Sequence, residues 1–227
     1  MKKVAIFDID GTIFRSSLLI ELTDALIQED IFPSKVEKIY TRAYKNWLDR
    51  KGPYEEYIVE VIKAFEQNIK GVHYDEFSKV AEKVADFHKN RVYRYSQGII
   101  KDLKKKNYYL LAISNSPQKV VDEFCKKFGF SKIYGRIHEI DEQKRFTGKT
   151  LYNELINDKA KILKRAIEKE GLTLKGSIGV GDTETDIAFL KMVEKPICFN
   201  PNQKLHQYAK RAGWEIVIER KDVIYHL

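Results

Sequence analysis

The 227-residue sequence predicts an α/β fold, a doubly wound parallel sheet with an inserted all-helical segment. Short apolar, β-branched runs alternate with helical patterns near both ends of the chain, which is typical of a parallel sheet flanked by helices. The stretch from about Ser16 to Asn90 lacks such runs and shows only amphipathic helical patterns. We therefore expect an α/β core made of residues 1–15 and 91–227, and a helical cap made of residues 16–90.

The first predicted strand is the apolar run over 3–9, which ends at acidic residues. Similar runs predict strands over 108–114, 177–181, 196–199 and 214–219. Between the runs, helical patterns cover 97–106, 118–128, 158–170 and 186–192. Residues 133–149 have strand-like character around IYGRIHEI, and we interpret them as a strand or hairpin extension of the sheet.

The spacing of apolar residues in the inserted segment predicts four successive amphipathic helices, over 17–29, 34–50, 54–68 and 74–90. Pro33, Gly52-Pro53 and Gly71 mark the breaks between them. Because the segment directly follows the first strand, it is placed to cover the carboxyl ends of the strands, where ligands bind in such sheets.

The composition excludes several classes of protein. No run reaches the roughly 18 apolar residues that a membrane span needs, so no membrane crossing is predicted. The apolar start of the chain is broken by Asp8 and Asp10, which argues against a signal peptide. Cys125 and Cys198 match no metal or redox spacing, so we expect two reduced thiols in a cytoplasmic protein.

The chain carries a formal net charge of +8. Its lysines lie mostly in helical runs mixed with apolar residues, a pattern that favours solvated helix faces. The positive field would attract an anionic, phosphorylated substrate. The sequence contains no nucleic-acid motif, so nucleic acid is not an expected partner, and nothing in the sequence indicates an oligomeric state.

The strongest local signal is the run Phe7-Asp-Ile-Asp-Gly-Thr12 at the end of the first strand. Asp8 and Asp10 are two residues apart, so they would face the same way on a regular strand. Like charges this close are costly unless they share a cation or a proton, and Mg²⁺ prefers such carboxylate oxygens. Gly11 permits a sharp turn next to a phosphate.

Two further strand ends carry polar groups. Asp182 and Asp186 follow the run 177–181 and are spaced to share one face of a helix start. Ser114-Asn115 ends the strand 108–114, where a hydroxyl and backbone N–H groups can hold a phosphate oxygen. One helical segment contains three lysines, of which one could point inward to neutralise phosphate charge: Lys159, Lys161 and Lys164.

Taken in order, Asp-x-Asp-Gly-Thr, a serine, a lysine and Gly-Asp-x-x-x-Asp resemble the haloacid dehalogenase (HAD) superfamily of hydrolases. The helical insert after the first motif is similar to that of its phosphoserine phosphatase-like branch. The resemblance spans nearly the whole chain and implies a Rossmann-like catalytic core, a Mg²⁺ cofactor and an aspartyl-phosphate intermediate.

The resemblance also implies roles for single residues. Asp8 would be the nucleophile and a Mg²⁺ ligand. Asp10 would be the general acid and then the general base, with its backbone carbonyl on the metal. Ser114 and Lys159 would hold the transferring phosphoryl group, and Lys159 fits the family's lysine better than Lys161 because a small residue and an aliphatic pair follow it.

The remaining site residues follow from the same resemblance. Asp182 would bind Mg²⁺, and Asp186 would support the metal site and orient the lysine. The substrate-binding set would combine the residues around the first two motifs with the phosphoryl-holding pair: Gly11, Thr12, Arg15, Ser114, Asn115 and Lys159. Substrate choice would come from the cap, where the candidates for lining the mouth are Arg15, Arg42, Tyr44, Trp47 and Arg50.

Three departures argue against L-phosphoserine as the substrate. Phosphoserine phosphatases carry a glutamate nine residues after the first aspartate, where this chain has Ser17. Their second motif continues with two glycines, whereas Ser114 is followed by Asn115-Ser116-Pro117. Thr185 replaces a common asparagine in the last motif.

The function predicted is therefore Mg²⁺-dependent hydrolysis of a phosphomonoester, a small phosphorylated metabolite. A phosphotransferase or sugar-phosphate mutase with the same nucleophile is one alternative, and it would retain the phosphoryl group instead of releasing phosphate. A polynucleotide-end phosphatase is another, motivated by the basic core, and it predicts salt-sensitive binding to nucleic acid. A non-catalytic binding protein that kept the fold is the third.

Overall fold

The computed structural model describes all residues from Met1 to Leu227. Its centre is an eight-stranded sheet in the order β4-β3-β2-β1-β5-β6-β7-β8. The strands are β1 Lys2–Asp8, β2 Tyr109–Pro117, β3 Lys132–Ile140, β4 Phe146–Leu151, β5 Leu172–Gly181, β6 Lys195–Phe199, β7 Glu215–Arg220 and β8 Val223–His226. All neighbours from β3 to β7 pair in parallel, and only the two edge strands, β4 and β8, are antiparallel.

This topology confirms the predicted doubly wound parallel sheet. The chain moves outward from β1 to β2 and β3, and then returns to the other side of β1 with β5, β6 and β7. The strand order therefore reverses beside β1, and the crevice beyond the carboxyl ends of β1 and its neighbours is where such sheets bind ligands.

The helices flank this sheet. They are α1 Leu18–Gln28, α2 Glu37–Leu48, α3 Tyr54–Asn68, α4 Tyr74–His88, α5 Arg94–Lys105, α6 Gln118–Cys125, α7 Asn153–Ile156, α8 Lys159–Glu170, α9 Ile187–Leu190 and α10 Gln203–Ala212. Short 3-10 helices cover Ser34–Val36, Lys126–Phe128 and Glu184–Asp186. None of the helices combines the length and the apolar character that crossing a bilayer requires.

The four helices predicted between the first two strands are present as α1 to α4. The hairpin predicted for residues 133–149 is present as β3 and β4, which pair antiparallel. The predicted helix over 186–192 was too long, since only Ile187–Leu190 is α-helical and a 3-10 turn precedes it.

Side chains alternate between the two faces of β1, as its period of two requires. Phe7 belongs to a hydrophobic cluster that also contains buried residues of α1 to α6, such as Phe65 and Phe77. Ile6 belongs to the opposite cluster, which contains Leu163 of α8 and Leu205 of α10. The buried residues of the helical segment thus pack continuously with one face of the sheet.

The segment between α3 and α4 also pairs with the β3–β4 hairpin. Gly71 N–H donates to the carbonyl of Phe146 at 2.8 Å, and Phe146 N–H donates to the carbonyl of Val72 at 3.0 Å. These bonds fix the helical segment beside the carboxyl ends of β2 and β3, at the edge of the sheet that carries the polar residues.

Candidate active site

Asp8 is the last residue of β1, and its side chain meets a buried lysine. Lys159 Nζ donates to Asp8 Oδ1 at 2.6 Å and to Asp186 Oδ1 at 2.5 Å. Lys159 is 4% exposed and Asp186 is fully buried. A buried ammonium is tolerated only when it is paired and hydrogen-bonded, and both requirements are met here.

The start of α8 explains why Lys159 points inward. Asp158 caps this helix by accepting from the N–H groups of Ala160 and Lys161, so Lys159 becomes its first residue. Lys161 and Lys164 are exposed. Of the three lysines in the helical run, Lys159 is thus the one that lies inside the site.

The loop after β5 supplies the second acidic pair. Asp186 Oδ2 accepts from the N–H groups of Asp182 at 2.9 Å and Thr183 at 3.2 Å, which folds the loop back on itself. A Cβ at Gly181 would lie 2.5 Å from Asp186 Oδ2, so the strand end requires glycine. Asp186 therefore uses both oxygens, one for Lys159 and one for the loop.

Gly11 and Thr12, in the turn after β1, lie next to the Asp182 carboxylate. Gly11 has φ of 80°, and a Cβ there would lie 2.1 Å from Asp182 Oδ2. Thr12 is fully buried, and its Oγ1 donates to Asp182 Oδ1 at 3.2 Å. Both residues position this carboxylate: Gly11 leaves room for it, and Thr12 holds it by a hydrogen bond.

Asp8, Asp182 and Asp186 form an acidic cluster whose nearest ligand atoms all lie within 4.8 Å of one another. Burial raises the pKa of Asp8 to about 7, against the opposing effect of Lys159. Burial, followed by the charges of Asp8 and Asp186, raises the pKa of Asp182 well above its ordinary value. Desolvated carboxylates that repel one another offer the hard oxygen ligands that a divalent cation prefers, so the residues fit a metal of this kind.

The Asp10 side chain lies outside that cluster and faces β2. Its Oδ1 accepts from Leu18 N–H at 2.5 Å, and its Oδ2 accepts from the hydroxyls of Ser114 at 2.5 Å and Ser116 at 3.0 Å. Burial raises the pKa of Asp10, and the hydrogen bonds from Ser114, Leu18 and Ser116 oppose the shift. A carboxyl with a raised pKa is suited to donating a proton.

Ser116 was not among the predicted site residues, because the sequence analysis noted it only as a difference from the glycines of the family's second motif. It is 3% exposed, donates to Asp10 and accepts from Leu19 N–H at 3.1 Å. Ser114 Oγ also accepts from Ser116 N–H at 2.9 Å. The spacing of two residues along β2 was the available signal, since it places both side chains on one face.

Two other predicted substrate-binding residues, Asn115 and Arg15, make no contact with the carboxylates of the site. Asn115 is exposed, and its Oδ1 accepts from Arg136 Nη2 at 3.4 Å. Arg15 is exposed, and its guanidinium lies 5.7 Å from the centre of the Tyr93 ring. The Arg15 side chain makes no ion pair, so the structure does not bring it into contact with the carboxylates.

Aromatic rings from α2 and α3 form a cluster near the mouth. The Trp47 ring lies 5.3 Å from that of Tyr54 and stacks on Tyr57 at 5.8 Å, and Tyr44 lies 5.1 Å from Tyr57. Burial raises the pKa of Tyr54, and the charges of Asp10 and Asp182 raise it further.

The two arginine candidates of the helical segment, Arg42 and Arg50, are exposed and make no ion pair. Arg136 was not predicted at all, because its position in the β3–β4 hairpin gave no indication that it would reach Asn115.

Comparison with known proteins places this geometry in a family. The model of the haloacid dehalogenase-like hydrolases matches residues 5–191. A histidinol-phosphatase of Neisseria meningitidis serogroup C is 22% identical, over 96% of this chain and 99% of that protein. A phosphoserine phosphatase of Methanocaldococcus jannaschii is 23% identical, over 98% of this chain and 94% of that protein.

Solved structures share the fold. A protein of unknown function from Bordetella pertussis superposes with a TM-score of 0.75 at 16% identity, over 96% of this chain and 99% of that one. A phosphoserine phosphatase in its apo form gives a TM-score of 0.66 at 20% identity, over 98% and 96%. The family model covers most of the chain and confirms the resemblance noted in the sequence, so this protein belongs to the haloacid dehalogenase-like hydrolase family.

Proposed function

We propose that the protein is a Mg²⁺-dependent phosphomonoester hydrolase that forms an aspartyl-phosphate on Asp8. The observation that carries the proposal is the buried contact of Lys159 with Asp8 and Asp186 beside Asp182. Asp8 Oδ1 accepts from Lys159, whereas its Oδ2 accepts no hydrogen bond from the protein and can act as the attacking atom.

Asp8, Asp182 and the Asp10 carbonyl would hold the Mg²⁺, with Asp186 supporting them. When bound, the ion would neutralise charge on the phosphoryl oxygens during transfer. The Asp8 carboxylate attacks phosphorus in line with the ester oxygen while the Lys159 ammonium and the Ser114 hydroxyl hold the equatorial oxygens.

Asp10 then moves the protons in both half-reactions. Its carboxyl protonates the departing ester oxygen, so the alcohol leaves neutral. The resulting Asp10 carboxylate takes a proton from water, which attacks the phosphoryl group on Asp8 and releases phosphate. Ser116 keeps this carboxyl oriented through its hydrogen bond to Oδ2, whereas the Ser114 hydroxyl, which bonds Oδ2 in the free protein, turns to the phosphoryl oxygen when substrate is bound.

Residues 16–90 would act as a cap over this reaction, and residues 1–15 and 91–227 as the catalytic core. Support comes from a bridge between the two parts at the mouth of the site. Lys204 Nζ, on α10, lies 2.9 Å from Glu55 of α3 and 2.8 Å from Glu184 in the loop after β5. A cap fixed at this point would exclude water from the ester.

The substrate would be a small phosphorylated metabolite. Relatives named histidinol-phosphatase and phosphoserine phosphatase support this class. L-Phosphoserine itself is disfavoured, because Ser17 stands where its phosphatases carry a glutamate and is only 5% exposed. A buried hydroxyl supplies no negative charge for the substrate's amino group.

The test is phosphate release from a panel of phosphomonoesters with Mg²⁺, beside EDTA and the Asp8→Asn variant. We expect metal-dependent release that Asp8→Asn reduces to the reagent blank, because the amide cannot act as the nucleophile. The matched control Asp86→Asn, at an exposed position, should keep wild-type rates. Undiminished release by Asp8→Asn would refute the mechanism, and consumption of ester without phosphate release would indicate a phosphotransferase.

A further inference from the structure

Arg136 lies on β3, two strands away from β1, which ends at Asp8. Its Nη1 donates to Asn153 Oδ1 at 2.9 Å, and its Nη2 donates to Asn157 Oδ1 at 2.8 Å and to Asn115 Oδ1 at 3.4 Å. Asn115 directly follows Ser114, and Asn157 stands two residues before Lys159. The guanidinium is therefore bonded to residues that lie next to Ser114 and Lys159 in the chain.

The charge of Arg136 has no ion-pair partner in the protein. No carboxylate lies within ion-pair distance of this half-buried side chain, and its named partners are three neutral amides. Burial lowers the pKa of Arg136, and only the more distant charge of Glu66 opposes this shift. Arginine is rarely withdrawn from water without an anionic partner, because desolvating its charge is costly.

Other arginines of the chain do not share this environment. Arg91 is paired with Glu21 at 2.7 Å. Arg145 is exposed, and its Nη1 donates to the carbonyl of Gly71 at 2.7 Å. Arg136 combines partial burial, the absence of an ion-pair partner and bonds to residues adjacent in sequence to Ser114 and Lys159.

The guanidinium is also held in place rather than mobile. Asn115 belongs to β2, whereas Asn153 and Asn157 lie at the two ends of α7, and each accepts from a terminal nitrogen of Arg136. The guanidinium of Arg136 has five N–H donors, so at least two of them stay available after these three bonds. A planar guanidinium that is held in place and has free N–H donors can bind two oxygens of a carboxylate or a phosphate.

We propose that Arg136 binds a second oxyanion of the substrate, so that the preferred substrate is a phosphomonoester carrying a further carboxylate or phosphate group. The inference rests on the proposed hydrolase function and specifies its substrate class. The first phosphoryl group occupies the site at Asp8 and Lys159, and the second oxyanion supplies the ion-pair partner that Arg136 lacks.

Two matched pairs of phosphomonoesters test this directly. 3-Phosphoglycerate and glycerol 3-phosphate differ by a carboxylate, and fructose 1,6-bisphosphate and fructose 6-phosphate differ by a phosphate. We expect the wild type to prefer the more acidic member of at least one pair, and that pair identifies the oxyanion. Arg136→Gln should reduce this preference, measured as a ratio of kcat/KM values, by roughly 10- to 100-fold, mainly through KM.

Variants at two arginines separate substrate binding from a structural role. Arg136→Lys keeps the charge but loses the planar guanidinium, so it should retain part of the preference for the more acidic ester. Arg145→Gln, an exposed control, should retain all of it. Loss of rate by the same factor for both members of each pair would show that Arg136 only positions Asn115 and Asn157, and would overturn the proposal. Wild-type preference for the less acidic member of both pairs would overturn it as well.

Binding measured without turnover keeps this test separate from the hydrolase proposal. Titration calorimetry of Asp8→Asn and of Asp8→Asn with Arg136→Gln, using the same two pairs, reports the selectivity even if no ester is hydrolysed. Selective binding that disappears with Arg136→Gln supports the oxyanion site. Equal affinities in the two proteins, or no binding of either pair, would contradict it, whereas absent phosphate release from the wild type would contradict only the hydrolase function.

Discussion

A lysine held between two buried carboxylates balances charges that would otherwise oppose folding. Burial alone would lower the pKa of Lys159, but Asp186 and Asp8 raise it, so the ammonium stays charged. The same charge faces the atom that would attack phosphorus. In the proposed mechanism, the Lys159 ammonium would therefore also stabilise the negative charge of the transferred phosphoryl group.

Replacing Lys159 by methionine should therefore reduce kcat/KM by about 10²–10³-fold, because the charge is lost while most of the stem remains. Lys161→Met is the matched control, since Lys161 lies two positions away on the exposed face of α8. Steady-state phosphate release and circular dichroism of both variants measure activity and folding. An equal loss for both lysines would show that the inward position of Lys159 is not used in the reaction.

Gly11→Ala tests the close approach of the first motif to Asp182. The added Cβ would meet Asp182 Oδ2, so we expect this carboxylate to move and the Mg²⁺ concentration for half-maximal activity to rise about 10- to 100-fold. Gly171→Ala is the control, because Gly171 also has positive φ but nothing lies within 4 Å of its Cβ position. It should cost about 1 kcal/mol of stability and leave the metal titration unchanged.

A metal titration of Gly11→Ala that matches the wild type would show that the turn tolerates the methyl group. The conformation of Gly11 would then not matter for Asp182.

At the scale of elements, strands that end in acidic residues were predictable. β1 and β5 have apolar runs that stop at Asp8 and before Asp182, and the structure places both at one edge of the sheet. Helix α10 was not predicted from the sequence, although its apolar residues lie on one face, where Leu205 and Ala209 are buried. Strand β8 was missed because all its residues are exposed, so it has no alternation to detect.

His138 of β3 gives this element a pH-dependent stability. Its ring lies 5.3 Å from that of Phe65, and burial lowers its pKa to about 4, with the Arg136 charge adding to the shift. Its buried Nε2 has no hydrogen-bond partner. Because the folded pKa lies below the unfolded value, the unfolded chain binds the proton first as the pH falls, and stability is lost between about pH 6.5 and 4.

Replacing His138 by phenylalanine should remove this contribution, which amounts to at most about 3 kcal/mol. Denaturant unfolding of wild type and variant at several pH values measures the difference between their free energies of unfolding. The difference should grow in favour of the variant as the pH falls below 6.5. His226→Phe, at an exposed position, serves as control. A difference that is independent of pH would mean that folding does not lower the pKa of His138.

At the scale of the whole molecule, the sequence predicted the fold, and it predicted which polar residues end neighbouring strands better than it predicted the residues that surround them. Short motifs identify Asp8, Asp10, Ser114 and the acidic loop, because local spacing determines which strand end they occupy. Arg136 approaches Asn115 only after β3 has paired with β2, and that contact depends on tertiary structure. No local pattern could reveal it.

Metal binding should stabilise the whole protein, since three carboxylates at close range destabilise the metal-free state. At Mg²⁺ concentrations about 100 times the dissociation constant, the gain would be about 2.7 kcal/mol, which corresponds to a Tm increase of roughly 5–10 °C. Calorimetric melting with Mg²⁺ and with EDTA measures it. Asp182→Asn should lose most of the gain, and an undiminished gain in that variant would place the metal elsewhere.

The most direct test of the central claim is to trap the phosphoryl group during turnover. The enzyme is mixed with a hydrolysed ester and Mg²⁺, quenched rapidly in acid, digested and analysed by mass spectrometry. We expect a phosphoryl group on Asp8 in the wild type, and none in Asp8→Asn. A label on another residue, or rapid phosphate release with Asp8 never modified, would contradict the aspartyl-phosphate mechanism.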